Sequence, residues 1–209
     1  MPKSLTPTSR RPSPRRIAAL LLIALALPAA AERGDRSKPM NLESDQPCTV
    51  DLIKQTHACS GNVVISQGTL LIQAERVEVR QSPEGYQFAV ASGTEARPAR
   101  YRQRRNDIDE YVEGSADRID YDGRANTVKL TGRADVRRLH GAVVVDEIHG
   151  SAITWDSVAE LFNVRGGTVT PDNPGGRVRA TLMPRSAASA AAADAASAAP
   201  RSASQPGSR

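Results

Sequence analysis

The chain has 209 residues, with 28 Lys and Arg against 23 Asp and Glu, a formal charge of +5, and 3% aromatic residues. The excess is local: Lys3, Arg10, Arg11, Arg15 and Arg16 all precede the first acidic residue, and beyond them 23 bases face 23 acids. Nucleic-acid binding demands a basic surface excess, so this balance argues against a nucleic-acid partner.

The basic start is followed by an apolar run from Ile17 to Leu27 and by Pro28-Ala29-Ala30-Ala31, a small-x-small ending that signal peptidase accepts. Residues 1–31 are therefore expected to be a cleaved signal peptide. The competing reading is a retained membrane anchor, but a run of about 11 residues is short against the roughly 20 that span a bilayer. Residues 32–38 are expected to form a linker. Residues 185–209 are almost wholly Ala, Ser, Pro, Gly, Gln and Arg, with no large apolar side chain to bury, and are expected to be disordered. The folded domain is assigned to residues 39–184.

Within it, Met40 and Leu42 alternate with polar residues along Pro39-Met40-Asn41-Leu42-Glu43-Ser44, which predicts a first strand. Cys48 and Cys59 are symmetric about Ile53-Lys54, so a tight turn there sets them opposite one another across two antiparallel strands, within the distance a disulfide tolerates. Two buried thiols, or pairing between chains, are the alternatives. From Gly61 to Val79 the chain reads as a strand, a Gln67-Gly68 turn and a longer strand. In the longer strand, Leu70, Ile72 and Ala74 are out of phase by one residue with Val77 and Val79. The same slip separates Ala116 from Ile119 and Tyr121. A one-residue slip turns side chains to the other face, so bulges or corners are expected near Glu75-Arg76 and Asp117-Arg118. The stretch is echoed at Gly114, Gly132 and Gly150, although the last copy is shorter and carries no sign of its own bulge.

Period-two spacing continues through Phe88 and Val90, Val128 and Leu130, Val143 and Val145, Ile153 and Trp155, and Phe162 and Val164, to Val178, Ala180 and Leu182. Turns are expected at Ser82-Pro83-Glu84-Gly85, Asn106-Asp107 and Asp122-Gly123. No helical stripe is present, and the domain is expected to be all-β with its first and last strands as edges.

The sequence offers no catalytic or metal constellation. His57, His140 and His149 are scattered, and there is no nucleophile elbow or phosphate-binding glycine loop. The chain is read as a non-enzyme with no cofactor and no metal. Arg100, Arg102 and Arg104 share one face opposite Tyr101, a pattern that suits anionic groups or simply a solvated face. The inward faces combine aliphatics with small residues such as Ala74, Ala116, Ala134 and Ala152, consistent with a thin core or a ligand cavity.

The ordered set Lys38-Pro39-Met40-Asn41-Leu42-Glu43-Ser44-Asp45, Gly61-Asn62-Val63-Val64-Ile65-Ser66-Gln67-Gly68-Thr69 with Ala74 and Val77, Glu113-Gly114-Ser115-Ala116, Leu130-Thr131-Gly132-Arg133-Ala134 and Val178-Arg179-Ala180-Thr181-Leu182-Met183-Pro184 resembles the OstA-like family. The resemblance implies an open, curved β-jellyroll of antiparallel strands in the periplasm, whose interior holds the lipid A acyl chains of lipopolysaccharide. It also implies a head-to-tail bridge between inner-membrane LptC-type and outer-membrane LptD-type partners. Carried over by position, Met40, Leu42 and Tyr101 match lipid-contact positions. Ile72, Ile119, Tyr121, Leu130, Trp155 and Phe162 are added from alternation alone. Asn41 and Glu43 at one end and Val178, Ala180 and Leu182 at the other are the expected oligomer edges. The Cys48–Cys59 pair and the long tail depart from the family pattern. Two other readings stay open: an inner-membrane-anchored relative with the same fold, and a soluble periplasmic glycan-processing enzyme.

Overall fold

The computed structural model describes residues 34–105, 109–167, 173 and 175–184. The expected signal segment, the Asn106-Asp107 turn and the tail from residue 185 lie outside the described residues. The chain divides into two units between Arg33 and Gly34, and every described residue belongs to the second.

That unit is all-β. Its strands are β1 (Asn41–Glu43), β2 (Thr49–Asp51), β3 (Thr56–Gln67), β4 (Leu70–Gln81), β5 (Gln87–Ser92), β6 (Ala99–Arg104), β7 (Glu110–Ala116), β8 (Arg118–Asp122), β9 (Thr127–His140), β10 (Val143–Asp156), β11 (Leu161–Arg165) and β12 (Arg179–Leu182). The pairings among these twelve strands are all antiparallel.

The four longest strands each serve two layers. β3 pairs β2 with its first half and β1 with its second, and β4 pairs β6 and then β5. β9 pairs β8 and then β7, while β10 pairs β12 and then β11. The short strands lie end to end along these long ones, β1 and β2 along β3, β5 and β6 along β4, β7 and β8 along β9, and β11 and β12 along β10. The topology is thus an up-and-down meander of eight long runs, each turned at its middle. The first layer contains β1, β6, β7 and β12 with half of each long strand; the second contains β2, β5, β8 and β11 with the other halves.

The turn in each run has a local cause. Two residues of β3, Gly61 and Asn62, stand opposite the single Glu75 of β4, and two residues of β9, Gly132 and Arg133, stand opposite the single Ser151 of β10. All four have positive φ, from 45° to 82°, the conformation of a glycine-led bulge. The irregularity falls where the phase slip of β4 predicts it, but the extra residue sits on the partner strand, because the glycine is there. β10 carries the same irregularity despite its shorter echo, and a second one between Val144 and Asp146. At Asp117 the run from β7 to β8 breaks, so that Ala116 and Ile119 both face inward. Backbone hydrogen bonds continue across the corner, from Asp117 N to Gly132 O (2.9 Å) and from Asp45 N to Gly61 O (2.9 Å).

The second layer ends in three copies of one turn. Asp51, Asp122 and Asp156 each accept the N–H groups two and three residues on. Four residues after each aspartate comes a residue with φ above 50°, namely Gln55, Asn126 and Glu160. The carboxylate satisfies donors that the turn cannot pair with backbone. In the first of these hairpins Cys48 and Cys59 form a disulfide with Cα atoms 4.4 Å apart.

Gly132→Ala places a Cβ 2.3 Å from Asp117 Oδ2 and strains a left-handed residue, so a loss of about 1–3 kcal/mol is expected in urea unfolding. Gly34→Ala, which meets nothing within 4 Å, is the matched control and stays within about 0.5 kcal/mol. Reducing the disulfide releases a loop closed over a separation of 11 residues and lowers stability by about 3 kcal/mol, measured by the same unfolding with and without reductant.

Candidate functional site

The inward faces of the two layers meet in one apolar interior. From the first layer come Val63, Ile65, Leu70, Ile72, Ala99, Tyr101, Val112 and Val136, and from the second Val77, Ala89, Ala91, Ile119, Tyr121, Val128, Leu130, Ile153 and Trp155. Ile72, Tyr101, Ile119, Tyr121, Leu130 and Trp155, all candidate lipid contacts, are buried within it. The remaining three candidates, Met40, Leu42 and Phe162, are partly buried and pack against it at its two ends, as do Ile148 of β10 and Val164 of β11. Phe162 stacks on Trp155 with ring centroids 4.3 Å apart. Each fully buried aliphatic side chain contributes roughly 1.5–3 kcal/mol, so the interior is the main source of cohesion between the layers.

Polar side chains ring this interior at the ends of the strands. The inward alternation of β3 ends on Gln67 and that of β6 on Gln103. The Tyr101 hydroxyl donates to Gln103 Oε1 (2.8 Å), and Gln103 Nε2 donates to Asp35 Oδ2 (2.7 Å). Gln67 Nε2 donates to Gln87 Oε1 in the second layer (2.9 Å) and to the Lys38 carbonyl (3.0 Å). Farther along the rim, Arg105 forms ion pairs with Glu110 on its own layer and, at 2.5 Å, with Glu160 on the other. Arg138 extends that cluster to Asp146. Gly34–Lys38, within the stretch assigned to a linker, belongs to the rim: Asp35 accepts from Thr69, and Arg36 donates to the Gly123 carbonyl of the second layer (2.9 Å).

The two ends of the meander are edges. Asn41 and Glu43 of β1 point away from the interior on either side of Leu42, and β12 exposes Ala180 and Leu182, the latter at 69%. Val178 precedes β12 and is 43% exposed. The acids Glu43, Asp45 and Asp51 lie along the first edge, and Arg165, Arg177 and Arg179 along the last.

On the outer face of the first layer, Arg100, Arg102 and Arg104 project opposite Tyr101. Arg102 pairs with Glu113 and covers the Tyr111 ring at 4.0 Å. Asp135, Glu147 and His149 bring three potential metal donors within 4.8 Å of one another. They are engaged in an ion-pair network: His149 Nδ1 lies 2.7 Å from Asp135, and Arg137 Nε lies 2.9 Å from Glu147.

The sequence reading missed Gln67, Gln103, Asp35 and the Arg105–Glu160 pair. The first two were findable, since they extend the inward series Val63, Ile65, Gln67 and Ala99, Tyr101, Gln103. The others depend on contacts 34 to 68 residues apart in sequence.

Burial raises the pKa of Tyr101 and of Tyr121 above the ordinary phenol range. Folded Tyr101 therefore keeps its proton when an unfolded tyrosine, with a pKa near 10, loses it. Its contribution to stability is complete below about pH 10 and is lost as pH rises further. Tyr101→Phe is expected to reduce the alkaline slope of unfolding free energy by about 1.4 kcal/mol per pH unit, followed by circular dichroism in urea above pH 10.

Comparison with known proteins places this geometry. The family model described as LptA/(LptD N-terminal domain) LPS transport protein matches residues 41–160, from the first strand to the last five-residue turn. The lipopolysaccharide export system protein LptA of Escherichia coli (strain K12) is 35% identical over 101 residues, 48% of this chain and 53% of that protein; the Shigella flexneri protein of the same name matches equally. The chain thus spans about half the length of the curated relatives it matches. The crystal structure of LptH, described as the LptA homologous periplasmic component of the lipopolysaccharide transport device of Pseudomonas aeruginosa, superposes with a TM-score of 0.60 at 22% identity. That likeness is one of fold and covers 72% of this chain and 99% of the other. With the family model covering more than half of its residues, the chain belongs to the LptA/(LptD N-terminal domain) family of LPS transport proteins.

Proposed function

We propose that this protein is a non-catalytic periplasmic carrier that holds lipopolysaccharide by its lipid A acyl chains and passes it along a head-to-tail bridge of its own copies. Inner-membrane LptC-type and outer-membrane LptD-type partners cap the two ends of that bridge. One observation carries the reading: the apolar interior is flanked at both edges of the meander by apolar side chains that are only partly buried, Met40 and Leu42 at one end and Ile148, Phe162 and Val164 at the other. Partly exposed apolar flanks at both edges are covered by another such unit.

The topology supports a head-to-tail direction. The run β1–β2 passes from the first layer to the second, and the run β11–β12 passes back from the second to the first. A following copy therefore adds β1 antiparallel to β12 and β2 antiparallel to β11, continuing both layers at once by strand addition. Glu43, Asp45 and Asp51 then face Arg165, Arg177 and Arg179, so the edges attract in one order and repel in the other. The disulfide holds the β2 hairpin rigid for this contact.

Transport follows from the same geometry. Each methylene of an acyl chain left in water costs about 0.8 kcal/mol, so chains crossing an aqueous space need continuous apolar cover. The interior side chains are packed against one another, and chains enter as the layers part along the rim where Gln67–Gln87 and Arg105–Glu160 bridge them.

The edges are tested by charge reversal. Glu43→Arg with Asp51→Arg, or Arg165→Glu with Arg179→Glu, is expected to leave monomers at low salt by light scattering, while a mixture of the two variants regains chains. A mixture that stays monomeric, beside a wild type that polymerises, refutes the seam. For the interior, a photocrosslinker at Met40 or Tyr101 is expected to capture lipopolysaccharide, and one at Arg100 on the outer face is not. Folded protein yielding no adduct from either inward position overturns the placement.

A further inference from the structure

At one point of the rim, three hydrogen-bond donors converge on a single anion. The Thr69 N–H donates to Asp35 Oδ1 (2.7 Å), and the Thr69 hydroxyl (2.6 Å) and Gln103 Nε2 (2.7 Å) both donate to Asp35 Oδ2. None of the ion pairs among the described residues involves Asp35, so its charge is held by neutral donors alone, as backbone and side-chain nests hold oxyanions. Gly68 makes room for it: the residue has φ of +60°, and a Cβ there would lie 2.2 Å from Asp35 Oδ1. The Thr69 hydroxyl is itself fixed as a donor toward the anion, because its oxygen accepts the Arg104 N–H (3.3 Å).

The receptor adjoins the apolar interior directly. Gln103, which supplies one of the donors, accepts the Tyr101 hydroxyl at 2.8 Å, and Tyr101 is 2% exposed. On the other side, Arg36 and the Lys38 carbonyl tie the same short segment to Gly123 and Gln67, so that Gly34–Lys38 forms a strap across the gap between the layers. A molecule whose acyl chains entered the interior beside Tyr101 would bring its headgroup to where Asp35 now sits.

We propose that Gly68, Thr69 and Gln103 form a binding site for the anionic headgroup, a phosphate, of the acylated ligand, and that Asp35 occupies this site until the ligand displaces it and lifts the strap. The inference rests on the interior being the acyl-binding site, and it adds to that reading the position of the phosphate and a competitor built into the chain. The competitor lowers apparent affinity by the fraction of time it holds the site, so removing it strengthens binding.

The test uses the full chain with bisphosphorylated lipid A, lipid A stripped of its phosphates, and inorganic phosphate. Asp35→Ala is expected to bind bisphosphorylated lipid A about tenfold more tightly than wild type, through loss of the competing hydrogen bonds, and to show no gain for the stripped lipid. Adding Thr69→Val is expected to abolish the gain. Inorganic phosphate is expected to broaden in its phosphorus resonance with Asp35→Ala and not with wild type, which separates a general oxyanion site from one that needs the whole lipid. Equal gains for both lipids overturn the proposal, since the strap then acts only by bulk; no gain for either, in folded protein, overturns it as well. Asp35→Asn, which keeps the side-chain size but removes the charge and one of the two acceptor oxygens, serves if the alanine variant does not fold, with a smaller gain expected, again for bisphosphorylated lipid A only. If wild type and variants all fail to bind any lipid, the carrier reading falls, while the phosphate resonance still decides the receptor.

Discussion

The structure depends on a backbone constraint at the middle of its strands. A strand with strict alternation presents one apolar face to one partner layer, yet each run here must line two layers that face each other. Turning from one layer into the other requires an extra residue and a left-handed backbone, which Gly61-Asn62 and Gly132-Arg133 supply. Without those corners the same eight runs would form one flat, wide sheet with its apolar face in water. With them, the meander encloses its own interior, and among the described residues its first and last runs are paired on one side only.

Closure is held by two kinds of interaction that respond differently to a ligand. The apolar contacts between layers are non-directional, and acyl chains of similar polarity can replace them with little loss. The polar bridges at the rim are directional. Gln67–Gln87, Arg105–Glu160 and the Asp35 strap each join specific atoms on opposing elements, and each must break or exchange partners if the gap widens. For the acyl ligand proposed above, the rim more than the interior would set selectivity, because buried polar groups left unpaired are costly while repacked apolar groups are not.

The edges pose the opposite problem. An unpaired strand invites any other strand, and proteins usually blunt such edges with charge. Here the charges are sorted by sign, acidic at the first edge and basic at the last, so a pairing of two like edges is repelled. The disulfide-stapled hairpin that ends the first edge holds Leu52 and Ile53 almost fully in solvent, at 81% and 96% exposed. Covalent closure offsets the lack of burial there.

The amino-acid sequence by itself determined the strand content, the faces of the strands and the positions of the corners, since these follow from period-two alternation, local phase slips and glycines. The symmetric placement of Cys48 and Cys59 about their turn likewise set up a bond within one hairpin, and the inward aromatics Tyr121 and Trp155 were legible from spacing alone, whereas Tyr101 was placed by the family resemblance. Only the tertiary structure decided which strand of each pair holds the extra residue, because phase in one strand does not reveal how its partner absorbs the slip. It also decided that Gly34–Lys38 packs as a strap, that the Asp51, Asp122 and Asp156 turns share one conformation, and that Asp35, Thr69 and Gln103 meet. Those contacts join residues far apart in sequence, and they form because the corners bring two layers face to face, a condition that no local pattern encodes.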